Sequence, residues 1–159
     1  MMASMLIPSR LLVATESFGP ELPAGLVAEA IGRGLQAGGT AEPDLCPLVL
    51  EGSGPDELRA LLEAVDFDRR MRAARAVVVG AERMQERALA GSPAFEIATR
   101  ARQGGVPAYA IAGESTLEPF DARILDLQVI LQAADAHALT AAGRKLAALL
   151  EEASGAPQR

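Results

Sequence analysis

The sequence is poor in several residue types, and each shortage narrows what the chain can be. Aromatic side chains make up only 3% of 159 residues, with no tryptophan, four phenylalanines and one tyrosine. The core must therefore be assembled from Ala, Leu, Val and Ile, small and branched groups that suit helices lying closely on a sheet. There is one cysteine, Cys46, so an internal disulfide is impossible and the reducing cytoplasm is the simplest compartment. One histidine and one cysteine also cannot build a zinc centre. Basic residues number 15 against 21 acidic ones, a formal charge of −6, which argues against nucleic acid as a partner because phosphate backbones are held by clustered Lys and Arg. No apolar run approaches the roughly 20 residues needed to cross a bilayer, so no membrane partner is expected. The opening "MMASMLIPSR" is too short in its apolar stretch, with its basic residue on the wrong side, for a signal peptide; residues 1–9 read as a tail.

What is present is an alternation of strands and helices. Leu11–Thr15 is a continuous apolar run, as in a strand covered on both faces of a parallel sheet. Pro20 and Pro23 break the chain before a helix whose apolar face is Leu22, Leu26, Val27, Ala30, Ile31, Gly34 and Leu35, with Gly38-Gly39 as the stop. The pattern repeats: a strand at Asp44–Leu50, the turn "EGSGPDE" and a helix through "LRALLEAV"; the clearest strand at Arg75–Ala81; a helix opened by Ser92 as N-cap and Pro93, closed by Gly104-Gly105. A fourth strand reads at Pro107–Gly113 and a weaker fifth in "ARILDLQ", before a closing helix with the stripe Leu139, Ala142, Leu146, Leu149 and Leu150. The expectation is one α/β domain over residues 10–153, three-layered and Rossmann/flavodoxin-like, with a mostly parallel sheet of about five strands and helices on both faces; residues 154–159 read as a disordered tail.

Ligands of such folds bind at the carboxyl ends of the strands. The usual signatures there are missing: no G-x-x-x-x-G-K-[ST] loop, no dinucleotide G-x-G-x-x-G after the first strand, and no G-x-S-x-G around Ser17. His137 lies roughly 200° around its helix from Leu139 and should face solvent; Cys46 sits inside an apolar strand and should be buried. One constellation stands out by placement. Glu16, Glu51, Glu82 and Glu114 each follow one of the first four strands, so a parallel sheet would gather four carboxylates at one edge, where they would hold a metal such as Mg²⁺ or raise one another's pKa for acid-base work. The competing reading is four solvated loop residues placed favourably beside helix N-termini.

The same residues resemble a known family. "VATESFGPELPAGLVAEAIGRGL" is similar to the opening of the two-domain bacterial glycerate kinases, a strand followed by A-P-D-S-F-K-G-S-L and a helix with E-A-I-x-x-G. "CPLVLEGSGP" resembles the family's P-M-A-D-G-G-E-G-T, "VDFDRRMRAARAVVVGAERM" resembles G-F-D-x-x-L-x-x-A-D-L-V-I-T-G-E-G-R-x-D, and "GSPAFEIATRARQGGVPAYAIAG" resembles G-K-x-P-x-x-V-A-x-x-A-x-x-x-G-V-P-V-I-A-I-A-G. The resemblance implies ATP-dependent phosphorylation of glycerate, with Mg²⁺ and ATP as cofactors. It also implies a second α/β domain inserted mid-chain, whereas here the "EGSGP" turn leads through one helix straight to "DFDRR".

Chemically the match departs from the family. Its D-S-F-K aspartate falls on Glu16, but the lysine falls on Gly19; the acids of A-D-G-G-E-G-T fall on Leu50 and Ser53; those of G-E-G-R-x-D fall on Ala81 and Gln85; the G-K lysine falls on Ser92. Scaffold positions Ser17, Phe18, Gly80, Gly91, Pro107 and Gly113 persist. The reading is a family fold with little or no kinase activity of its own, binding a small organic acid, phosphate or nucleotide through Thr15, Glu16, Ser17, Phe18, Gly52, Gly54, Gly80, Arg83 and Ser115. The alternative is an interaction protein that dimerises or docks on a partner, or half of a split kinase.

Overall fold

The computed structural model describes residues 10–51, 54–85 and 92–154, with the side chains of Pro119, Asp121, Ile124 and Ser154 excepted. Of the expected tails at 1–9 and 154–159, residues 1–9 and 155–159 lie outside these residues, as do Gly52, Ser53 and Gly91, while Ser154 closes the last helix instead of opening a tail.

Five strands, β1 (Leu11–Thr15), β2 (Asp44–Pro47), β3 (Ala76–Met84), β4 (Ala108–Ser115) and β5 (Leu127–Gln132), form one parallel sheet in the order β2-β1-β3-β4-β5. This is the flavodoxin-like order. Helices α1 (Ala24–Ala37) and α6 (Ala136–Ser154) cover one face, α2 (Pro55–Ala64), α3 (Phe67–Arg72) and α4 (Pro93–Gln103) the other, and the short α5 (Pro119–Ile124) joins β4 to β5.

Pleat alternation divides the core between the two faces. Leu11, Val13, Val78 and Ile111 pack with Val27, Ile31, Leu35, Leu139 and Leu146 of α1 and α6. Leu12, Ala14, Val77, Val79, Ala81 and Ala110 pack with Leu58, Leu62, Phe67, Met71 and Ile97 opposite. All five residues of β1 are buried, which accounts for its unbroken apolar run. Ser92 caps α4 as expected, its hydroxyl accepting from Phe95 N at 3.1 Å. Cys46 is buried and His137 exposed. β2 stops at Pro47, whose missing N–H is tolerable on an edge strand. β3 and β4 run on past their expected ends, to Met84 and Ser115.

Two expectations need correction. "ARILDLQ" is not the fifth strand: its first half ends α5, Asp126 turns the chain with φ 59°, and β5 begins at Leu127. Leu26 is 49% exposed and Leu22 only half-buried, because Leu22 precedes the start of α1 at Ala24 and the buried face of the helix runs through Ala24, Val27, Ala28 and Ile31, which turns Leu26 outward.

α1 and α6 meet in backbone contact. A Cβ on Gly34 would lie 2.0 Å from Thr140 O, and one on Gly143 would lie 2.5 Å from Ile31 O, so only glycine fits on either side of the crossing. The approach also lets the Thr140 hydroxyl donate to Ala30 O at 3.1 Å.

Candidate functional site

In this strand order the chain leaves β1 toward β2 on one side and returns to β3 on the other, so a crevice opens beyond the carboxyl ends of β1 and β3. Glu16 N donates to Gly80 O at 2.9 Å, which anchors the loop after β1 to β3. The loop then folds on itself, Phe18 N donating to Leu22 O at 2.8 Å and Leu22 N to Gly19 O at 3.2 Å. Gly19 sustains this turn at φ 88°, a conformation that a lysine side chain would strain.

The turn brings Gly19 beside β3: a Cβ there would be 3.6 Å from Glu82 Oε2. Glu16 is half-buried at the same place, and its pKa is pushed up to about 7, first by burial and then by the Glu82 carboxylate. Phe18, Glu82, Arg83, Gly113, Glu114 and Ala134 line a depression of about 180 Å³ at this edge. Gly113 is needed for its close walls, since a Cβ would fall 2.7 Å from Glu82 O and 3.5 Å from the Phe18 ring.

The four carboxylates are not brought together. Among the described residues no group of three or more His, Cys, Asp or Glu is placed to hold a metal ion. The pleat is the reason: along β3 the even positions Ala76 and Val78 face α1 and α6, and Glu82 follows their parity. Arg83 and its register partner Glu114 follow the opposite parity, and Arg83 Nε lies 3.6 Å from Glu114 Oε1, with both side chains more than half exposed. Glu51 is exposed beyond the edge strand β2. What remains is the pair Glu16 and Glu82. Mg²⁺ bound through so few carboxylates relies on waters and on a ligand's phosphate oxygens, so the chain's own donors do not make a metal cage.

The other candidates divide by exposure. Thr15 is fully buried, its hydroxyl donating to Ala24 O at 2.9 Å, which ties β1 to the start of α1 rather than to the crevice. Gly80 is buried as well, and a Cβ there would fall 2.8 Å from the Thr15 methyl, which leaves no room for a side chain. Phe18 is buried at 8% exposure and serves as a wall. Ser17 is exposed at the crevice loop. Gly54 is exposed with φ 121° ahead of α2. Ser115 Oγ accepts from Leu117 N at 3.4 Å, shaping its own loop. Ala134 belongs to the wall but was hidden to sequence reasoning by the misplaced fifth strand; a strand read to Gln132 would have pointed to it.

No helix among the described residues is long and apolar enough to cross a membrane. No curated protein matches the chain. A solved structure described as "putative glycerate kinase 2 from Salmonella typhimurium LT2" is 16% identical, with a TM-score of 0.49. That match covers 82% of this chain and 38% of that one, so the present chain spans well under two thirds of that protein's length. The model of the glycerate kinase family matches residues 48–156, more than half of the chain, and the protein belongs to that family.

Proposed function

We propose that this chain is a glycerate kinase family domain with little or no phosphoryl transfer of its own, whose crevice at the ends of β1 and β3 binds a small organic acid. The observation that carries the reading is the charge balance of the crevice. Phosphoryl transfer is mostly positioning and stabilisation of negative charge by cations. Among the described residues lining the depression the one cationic side chain is Arg83, and it faces Glu114. Gly19 occupies the position of the family's first lysine, beside the Glu82 carboxylate.

Glu16 supports the choice of ligand. With its pKa near 7 the carboxyl is about half protonated at neutral pH, and in that form it donates a hydrogen bond to a ligand carboxylate instead of repelling it. Phosphate and nucleotide carry more negative charge against the same acidic pair, and are the weaker candidates.

The test is a kinase assay of the chain alone with glycerate, ATP and Mg²⁺, followed by thermal-shift titration with glycerate, phosphate and ATP. Turnover in the range ordinary for kinases, roughly 1–100 s⁻¹, overturns the reading. A melting temperature that rises with glycerate, more at pH 6 than at pH 8, supports it.

A second reading, docking through the same edge, is favoured by the distribution of apolar surface. The exposed large hydrophobics among the described residues are Leu26 at 49%, Val49 at 65%, Leu50 at 36% and Phe120 at 64%. All four lie at the carboxyl edge: in the first turn of α1, just after β2, and just after β4. A concentration-dependent dimer that Val49→Ser and Phe120→Ser disperse would favour a second copy of the chain as occupant; a monomer at all concentrations removes that reading.

A further inference from the structure

At the opposite, amino edge of the sheet, where β1 and β2 begin, the structure holds a larger cavity of about 360 Å³, walled by Arg10, Asp44, Arg69 and Arg70 and floored by Ala73 and Ala74. Three guanidiniums on one cavity are unexpected in a chain with a net charge of −6. They are held in different ways. Arg70 is locked: Nε and Nη2 donate to the two Asp44 oxygens at 3.0 and 2.6 Å, while Nη1 and Nη2 donate to Val65 O at 3.0 Å and Leu45 O at 2.9 Å. Arg69 is 71% exposed and pairs through Nε with Asp66, which leaves its terminal N–H groups open.

Arg10 is held by carbonyls, Nε donating to Glu42 O at 3.1 Å and Nη2 to Pro43 O at 3.3 Å. Backbone carbonyls fix a guanidinium's direction without cancelling its charge. Three positive groups thus face two carboxylates, Asp44 and Asp66, and a fixed positive charge is left over at Arg10.

We propose that this cavity is a second ligand site, for a small phosphate-bearing molecule, with Arg10 and Arg69 as its contacts and the Arg70–Asp44 pair as a rigid wall. The cavity falls within the roughly 300–1,000 Å³ of small-molecule sites. A phosphate's tetrahedral oxygens accept from guanidinium forks on two sides at once, and its double charge competes with Asp66 for Arg69, which a single carboxylate does not. The site is independent of the crevice at the carboxyl edge.

The experiment is an NMR titration of the full chain with inorganic pyrophosphate, ionic strength held constant with chloride, and a parallel arm with citrate. Saturable shifts at the amides of Leu11, Ala73 and Ala74 are expected, with affinity falling about tenfold in Arg69→Gln and in Arg10→Gln. Arg69 is exposed, so its variant keeps the fold, and the dispersion of the amide spectrum checks this for both. Shifts that stay linear with concentration, or that saturate elsewhere, overturn the site, as does an affinity unchanged in both variants. Citrate binding as tightly as pyrophosphate overturns the assignment to phosphate.

Discussion

The loop that ends β1 and the helix that follows it differ sharply in how they treat free energy. Along α1 the seam with α6 has no spare volume, since backbone lies on backbone at Gly34 and Gly143. Before that helix, the crevice loop leaves Glu16 half-buried against Glu82, neither of them in an ion pair among the described residues, and the fold tolerates a carboxyl held near pH 7. Stored unfavourable electrostatics of this kind marks ligand sites more often than scaffold, because a ligand or a proton relieves it.

The comparison breaks most severely at Gly34. Gly34→Ala sets a methyl 2.0 Å from Thr140 O and 2.9 Å from Arg144 N, both backbone atoms that cannot swing aside. The helices must separate, which also strips the Thr140 hydroxyl from Ala30 O. A loss of at least about 3 kcal/mol is expected, seen as a lower denaturant midpoint with unchanged slope. A loss under 1 kcal/mol would mean that the seam is looser than it looks.

Glu16→Gln tests the other side. The carboxyl holds its proton more tightly folded, near pH 7, than unfolded, near 4.5, so the native state binds more protons between those values. Its favourable contribution is complete below about pH 4.5 and is lost as pH rises to about 7. The wild type should therefore lose on the order of 2–3 kcal/mol over that window from this group, at 1.4 kcal/mol per unit. Glu16→Gln should remove that slope and melt higher than wild type at pH 8. Equal melting temperatures at pH 8 would place the carboxyl in water.

These asymmetries were unequally legible in the sequence. The strand at β1 was plain because burial on both faces demands an unbroken apolar run. The fifth strand was not, because the apolar residues of "ARILDLQ" suit a helix end as well as a strand, and the Asp126 backbone at φ 59° that separates them leaves no pattern. α3, at six residues, is too short for a helical period to declare itself. At the site, the four glutamates were visible but not their pairing. Strand order puts β3 beside β1, and so Glu82 beside Glu16, while the pleat sends Glu114 to Arg83; neither follows from composition. The arginines of the amino edge are scattered from position 10 to 70 and carry no local motif.

The smallest effect sharpens the comparison within a single helix. Gly25 lies in the first turn of α1, nine residues before Gly34, and a Cβ there meets nothing within 4 Å. Gly25→Ala introduces no clash and reduces the freedom of the unfolded chain, so it should stabilise the protein by about 0.5–1 kcal/mol. One substitution, made at two glycines of α1, is then expected to change sign with position: unfavourable where α6 presses on the backbone, favourable where the helix emerges beside the crevice. Paired chemical denaturation of the two variants measures both at once. If Gly25→Ala also destabilises, the first turn of α1 is held by contacts that the open space beside it does not suggest, and the crevice is less permissive than its geometry implies.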